Sequence, residues 1–170
     1  MSLRARFGAT AGRWLLLSAV VIVLDQWTKL LIVQNFREFV EVVVWPMLNI
    51  VRLHNEGAAF SFLSTASGWQ RWFFTGLGVA VSLGIATWLL RLPATGQRML
   101  AAGLAFVMGG ALGNVIDRIR FGHVVDFIHV HYGDAYFPAF NVADSAITVG
   151  AALLILDNLL EMRRGATNPG

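Results

Sequence analysis

The sequence predicts a membrane all-α bundle of four transmembrane helices, with a small β-sheet between helices 1 and 2. Three observations carry that expectation. The 170-residue chain is 56% hydrophobic and only 14% charged, with a mean hydropathy of +0.63. Soluble domains carry about 25% charged residues, so this chain has too little charge to cover a water-facing surface. Four apolar runs each approach the roughly 20 residues that cross a hydrocarbon layer. The segment between the first two runs alternates apolar and polar residues with the period of a strand. The length fits one domain, residues 1–170.

The first span covers about 14–33, as Trp14 to Leu24 and then Leu30 to Val33 after a polar interruption that holds Asp25 and Lys29. Arg4, Arg6 and Arg13 precede it, as in a secretory signal, but no small-x-small cleavage site follows. That pattern reads as an uncleaved signal anchor. The second span, 69–92, is uncharged from Trp72 to Leu90, and the third, 99–116, is uncharged throughout. The fourth, 140–160, carries no charge from Ser145 to Leu156. Between 34 and 68, Phe39 to Trp45 is rich in β-branched and aromatic residues. Ile50 to His54 alternates Val51 and Leu53 with Arg52 and His54. Both read as short strands, with Pro46 at the turn or edge between them. They predict a small sheet with one apolar face, lying on the membrane surface or over a substrate. Asn55-Glu56-Gly57-Ala58-Ala59-Phe60 follows, a run of small residues that permits close backbone approach.

Four spans leave both termini on one side. Arg4, Arg6, Arg13, Arg91, Arg98, Arg163 and Arg164 fall on that side, while Glu38, Glu41, Glu56, Asp117, Asp126 and Asp134 fall on the other two connections. The positive-inside bias therefore puts both termini in the cytoplasm and Asp126 and Asp144 at the outer face. The thirteen basic residues, twelve of them Arg, give a net charge of +3. They are scattered, with no basic stripe interleaved with aromatics, so no nucleic-acid partner is expected. There is no cysteine, hence no disulfide frame, thiolate nucleophile or Cys-based metal site.

The residues suited to chemistry concentrate between Gly122 and Ser145. Asp126 is flanked by Val124, Val125, Phe127 and Ile128, and Asp144 opens the long uncharged run of the fourth span. An ionised carboxylate in such surroundings costs several kcal/mol unless it is paired, hydrated or protonated. A second one beside it pushes one of the two towards the neutral acid, the setting in which paired carboxyls perform general acid/base chemistry. The alternative is two separate interfacial aspartates, with Asp144 placed at a helix N-terminus for its dipole. Composition alone leaves both readings open.

Other residues carry paired readings too. Asp25 and Lys29, one turn apart, are an interfacial i,i+4 pair with Lys29 snorkelling, or else Asp25 faces the bundle and supports the site. Gly109, Gly110 and Gly113 form a small-residue packing face. Asn114 needs partners if it is buried, while Asp117 and Arg118 can serve as a cap and an interfacial anchor. His54, His123, His129 and His131 raise a metal site, but there is no H-E-x-x-H motif, and no metal is expected. Ser61, Ser64 and Ser145 are candidate nucleophiles. Their one prospective base, Lys29, would be held protonated by Asp25, which disfavours a Ser–Lys pair.

Five blocks stand in order: L-D-Q-W-T-K at 24–29, N-E-G-A-A-F-S-F at 55–62, G-G-A-L-G-N-V-I-D-R at 109–118, G-H-V-V-D-F-I at 122–128 and F-N-V-A-D-S-A at 140–146. Through them the chain resembles the lipoprotein signal peptidase (signal peptidase II) family over about residues 14–160. The resemblance implies an intramembrane aspartic endopeptidase of the bacterial inner membrane, with four membrane helices and a periplasmic β-cradle. The implied substrate is a prolipoprotein bearing a diacylglyceryl-cysteine, cut just before that cysteine within the lipid bilayer, without a cofactor. Carried over by position, Asp126 and Asp144 become the catalytic dyad. Asp25, Asn55, Asn114, Arg118 and Asn141 become polar residues lining the site, with Asp117 beside them. Glu56 stands where Thr is frequent in the family, and Trp27 is bulky for its place. Nothing requires more than a monomer.

The main competing function is a small proton- or ion-coupled transporter using the same carboxylates. Against it, the sequence has no internal repeat and its acids cluster at the outer end. A zinc peptidase and a purely structural assembly factor are further alternatives.

Overall fold

Long uncharged runs can cross hydrocarbon only by satisfying their backbone groups internally, which a helix does. The computed structural model describes residues 3–57, 68–93 and 95–166. It contains helices α1 (Leu3–Asn35), α2 (Trp69–Arg91), α3 (Arg98–Phe121) and α4 (Val142–Ala166). The four stretches long and apolar enough to cross a membrane are Ala11–Asn35, Trp69–Arg91, Arg98–Phe121 and Val142–Arg164. Four helices able to cross a membrane are therefore present, as expected. The third runs on to Phe121 instead of stopping at Ile116, which puts Asp117 and Arg118 inside the helix.

Helix α3 is the centre of the bundle. It packs against α1, α2 and α4, whereas α2 and α4 have no comparable contact with each other. Some 56% of its most apolar window is buried, against 22% for α2 and 17% for α4. The outer helices instead expose Leu16, Trp72, Leu83 and Ile155, a surface suited to lipid.

Glycines on two faces of α3 set the approach. A Cβ on Gly109 would lie 2.9 Å from the Ser18 carbonyl oxygen of α1, and Ser18 Oγ donates to the Ala105 carbonyl oxygen at 2.8 Å. On the α4 side, a Cβ on Gly110 would run into the backbone carbonyl of Ala143, and one on Gly150 would lie 2.7 Å from the Gly103 carbonyl oxygen. The glycine face expected from the sequence is thus a packing face, and it serves two neighbours.

A four-stranded sheet caps one end of the bundle, in the order β1 (Val42–Trp45), β2 (Leu48–Asn55), β3 (Val124–Tyr132), β4 (Ala135–Tyr136). All neighbours are antiparallel. The hairpin between α1 and α2 was expected, although β1 begins only at Val42 because Phe39 turns the chain with φ 61°. Two features differ from expectation. Half of the sheet comes from the α3–α4 connection, where a β-branched and aromatic run is interrupted by Asp126 and two histidines. And β1 is exposed at every residue, so the sheet does not present a single apolar face. The sheet is fixed to the bundle where Val125 and Phe127 of β3 pack on Ile32 of α1.

Gly122 makes the α3–β3 junction possible. Its φ of 87° is left-handed, and its N–H donates to the Arg118 carbonyl oxygen at 3.2 Å, closing the helix. The strand begins at Val124, so the last turns of α3 and Asp126 are held in a short, defined relation.

The packing makes a prediction. Gly110→Ala should lower the thermal midpoint in detergent, at a cost of about 1–3 kcal/mol from overpacking. Gly84→Ala, where an added methyl meets nothing within 4 Å, should not. Equal midpoints would contradict the close α3–α4 approach.

Candidate active site

The site is built up from a buried ion cluster. Lys29 Nζ lies 2.9 Å from Asp25 Oδ2 and 2.8 Å from Asp117 Oδ2, and it donates to Asn114 Oδ1 at 2.9 Å. Asp25 and Asp117 are fully buried and Lys29 is 3% exposed. Such a cluster persists only when each charge is paired and hydrogen-bonded. The remaining acceptors are used: Asp25 Oδ1 accepts from Ala143 N at 2.9 Å, and Asp117 Oδ2 accepts from Val125 N at 3.2 Å. Gln26 Nε2 donates to Asp117 Oδ1 at 2.8 Å and to the Gly113 carbonyl oxygen at 3.2 Å. The cluster thereby ties α1 and α3 to the start of β3 and of α4. A Cβ at Gly113 would lie 2.6 Å from Asp25 Oδ2, so only glycine leaves room for that carboxylate.

Above the cluster the two suspected carboxylates meet around one asparagine. Asn141 Oδ1 accepts from Asp144 N at 2.9 Å, and Asp144 Oδ2 accepts from Asn141 N at 3.3 Å. This reciprocal arrangement is a capping box, and it starts α4. Asn141 Nδ2 donates to Asp126 Oδ1 at 2.7 Å and also reaches the Val125 carbonyl oxygen and Asn114 Oδ1, each at 3.3 Å. Asn114 Nδ2 donates to Asp144 Oδ1 at 2.8 Å. On the sheet side, Asn55 Nδ2 donates to Asp126 Oδ2 at 2.9 Å. The β2–β3 register, Leu53 opposite Asp126 and Asn55 opposite Val124, makes that reach possible. Asn55 is itself oriented by Gly57, whose N–H donates to Asn55 Oδ1 at 2.9 Å. Gly57 has φ 103°, and a Cβ there would lie 2.7 Å from the Phe74 ring.

Asp126 is 3% exposed. Burial, and then the charge of Asp144, push its carboxyl up to about 7, against the hydrogen bonds from Asn55 and Asn141 and the charge of Lys29. The arrangement thus offers two adjacent carboxyls, one of which holds a proton near neutrality. That is the equipment for taking a proton from one group while giving one to another.

Two apolar cavities border this network. One, of about 340 Å³, lies between α2 and α4 with α3 as its floor, lined by Phe74, Leu77, Val81 and Ile147, with Asn114 and Arg118 as its polar members. The other, about 400 Å³, is lined by Phe137, Phe140, Thr148 and Val149 and includes Asp144. The Arg118 guanidinium sits 5.3 Å from the Phe74 ring centroid, Nη1 donates to the Asn114 carbonyl oxygen at 3.4 Å, and its charge faces Asp144, Asp126 and Asp117.

The family profile described as Signal peptidase (SPase) II matches residues 17–160. The chain belongs to that family. A Lipoprotein signal peptidase of Acinetobacter baumannii is 55% identical over 152 residues, covering 89% of this chain and 86% of that protein. One from Ralstonia nicotianae is 51% identical over 157 residues, covering 92% of this chain and 90% of its own length. A bacterial membrane enzyme solved by the in meso method at 2.3 Å matches the fold with a TM-score of 0.76 and 30% identity, over 94% of this chain and 92% of that one. This signal peptidase II family member is thus a bacterial multi-pass membrane peptidase.

The fold brings Asp25, Asn55, Asn114, Asp117, Arg118, Asp126, Asn141 and Asp144 into one connected network. Two readings fail. Lys29 does not snorkel to an interface but is buried between carboxylates, and Asp117 is not a terminal cap but one of its partners. Asp144 does stand at a helix N-terminus, and its charge also acts on Asp126, so the helix-terminal placement coexists with the pairing and the two aspartates are not separate. Lys29 and Gln26 are network members that the sequence reading did not place in the site; their signal was the polar interruption shared with Asp25. The family departures Trp27 and Glu56 are both exposed and outside the network.

The histidines are engaged otherwise. His54 stacks on His123 at 3.8 Å, His129 Nδ1 lies 2.7 Å from Glu41 Oε1, and His131 stacks on Tyr136. Among the described residues no three histidine or acidic side chains are grouped to hold a metal ion. Ser145 Oγ donates to the Asn141 carbonyl oxygen at 2.9 Å. Ser61, Ser64 and the Ala58-Ala59-Phe60 run lie outside the described residues.

The raised Asp126 carboxyl has a consequence for stability. Below about pH 4 the group is protonated in folded and unfolded chains alike. Between there and about pH 7 only the unfolded chain releases the proton, so the fold loses stability as pH rises through that window. Asp126→Asn removes this dependence. Thermal unfolding in detergent should show the variant's midpoint gaining on that of the wild type from about pH 4 to about pH 7. Parallel curves would contradict the burial of a protonated carboxyl.

Proposed function

We propose that this peptidase removes the signal peptide from diacylglyceryl-modified prolipoproteins, cutting just before the lipidated cysteine by an aspartic mechanism. The observation that carries the mechanism is the pair of carboxyls bridged by Asn141, whose side-chain amide donates to Asp126 Oδ1 and whose backbone N–H donates to Asp144 Oδ2. Family membership and the lipoprotein signal peptidases among its relatives support the substrate.

In the proposed cycle the pair shares one proton, which starts on Asp126 because burial raises that carboxyl. A water between them gives its proton to Asp144 and attacks the scissile carbonyl carbon, while Asp126 protonates the carbonyl oxygen. The tetrahedral adduct then collapses. Its hydroxyl proton returns to Asp126, the proton on Asp144 passes to the departing cysteine nitrogen, and the C–N bond breaks. The signal peptide leaves with a new carboxyl, the lipoprotein with a free amine, and the dyad ends as it began. Because the pair titrates as a unit, its pH dependence belongs to both carboxyls together.

The gap between α2 and α4 suits a substrate arriving sideways from the bilayer, since its walls are apolar and its polar members lie next to the dyad. Acyl chains and signal helix would occupy the two cavities, with Arg118 near the peptide or head-group end. Basic residues at the opposite end of the bundle, among them Arg98 and Arg164 around a shared cavity, support cytoplasmic termini and a site near the periplasmic face. The enzyme acts as a monomer in the inner membrane, with no cofactor and no nucleic-acid partner. The convergence of all buried acids on one end supports an enzyme over a proton-coupled transporter, whose acids would line a path.

Gel-shift cleavage of a diacylglyceryl-modified prolipoprotein tests this reading. Wild type should cleave with EDTA present, and folded Asp126→Asn and Asp144→Asn should each lose at least about 100-fold in rate. Retained cleavage in either variant would remove the dyad, and loss with EDTA alone would point to a metal.

A further inference from the structure

We propose that Lys29 is a positioning residue that fixes the side-chain amide of Asn114, committing its NH2 group to Asp144 and its carbonyl oxygen to Asn141. The inference rests on the dyad reading above and extends it one layer outward.

An ammonium is a donor with no acceptor. The atom of Asn114 that lies 2.9 Å from Lys29 Nζ must therefore be the oxygen. Rotating the amide by half a turn would set NH2 against NH3⁺ and a carbonyl oxygen against the Asp144 carboxylate, leaving two like-polarity contacts in a buried site. Lys29 itself has no freedom to relieve this. Its three protons are shared among Asp25, Asp117 and Asn114, at 2.9, 2.8 and 2.9 Å.

The other two asparagines of the site are oriented by backbone N–H groups: Asn55 by Gly57 N and Asn141 by Asp144 N. Asn114 lacks such a partner, and Lys29 takes that place. The result is a polarised line from Lys29 through Asn114 to Asp144 Oδ1, with Asn141 Nδ2 donating into the same Asn114 oxygen at 3.3 Å. A donor held on Asp144 Oδ1 fixes the carboxyl plane and leaves its remaining lone pairs for the reacting water. A purely structural Lys29, stapling α1 to α3, would have no bearing on which way the Asn114 amide points.

The side-chain ¹H–¹⁵N signal of Asn114, assigned by its loss in Asn114→Leu, reads that orientation without depending on activity. In the wild type its carboxylate-bonded proton should lie downfield and move on Asp144→Asn. In Lys29→Met it should shift back and no longer respond to Asp144→Asn. Asp117→Asn, which removes a partner of Lys29 but leaves Asn114 bonded, should keep the wild-type pattern. If Lys29→Met does not fold, Lys29→Met/Asp117→Asn removes a buried carboxylate together with the ammonium and is measured instead. Cleavage by the Lys29 variant should show kcat lowered roughly tenfold or more with KM little changed. An Asn114 signal unchanged in a folded Lys29 variant overturns the assignment. The predicted signal changes in a protein whose wild type does not cleave would uphold the positioning role and contradict the peptidase mechanism.

Discussion

Asn141 is fully buried, and the structure around it depends on where its one amide group points. Its carbonyl oxygen caps α4 and its NH2 group reaches Asp126, the Val125 carbonyl oxygen and Asn114. An unpaired buried amide would cost roughly 1–3 kcal/mol for each group left unmet, so strand, helix start and central helix are all held to positions that satisfy it. The same bonds that start α4 also place Asp144 next to Asp126. Folding at this point and assembling a site are one event.

That arrangement is costly, and the bundle offsets the cost locally. Asp25, Lys29 and Asp117 form a buried ion cluster whose value is geometric: it locks α1, α3, β3 and α4 together beside the Asp126–Asp144 pair. It can form because glycine at 113 lets the Asp25 carboxylate approach the α3 backbone. Small residues on α3 thus do two jobs, bringing helices close and making room for charge. Where such contact is lacking, between α2 and α4, an apolar cavity opens that reaches Asn114, a partner of Asp144. A membrane-borne substrate needs no aqueous path to reach a site so placed.

The helices were legible because hydropathy and length are one-dimensional properties. Half of the sheet was not: β3 carries Asp126 and two histidines in a run whose burial only the fold reveals. Composition could not decide between paired and separate aspartates, since Asp126 and Asp144 are joined through Asn141 and not through any local pattern. The five sequence blocks supplied what local physics lacked. Lys29 shows the remaining gap. An i,i+4 pair with Asp25 looks the same whether exposed or buried, and the partners that decide it, Asp117 and Asn114, lie on another helix. A lone lysine inside an apolar span was nonetheless a visible signal that a carboxylate would be found for it.

The most direct test is a structure with a diacylglyceryl lipopeptide in which a secondary alcohol replaces the scissile amide carbonyl. The hydroxyl stands in for the tetrahedral carbon's oxygen. It should lie within about 3 Å of carboxyl oxygens of both Asp126 and Asp144, with apolar chains in the cavities either side of α4. A hydroxyl bound to Ser145, or to one carboxyl with the other turned away, would contradict the account.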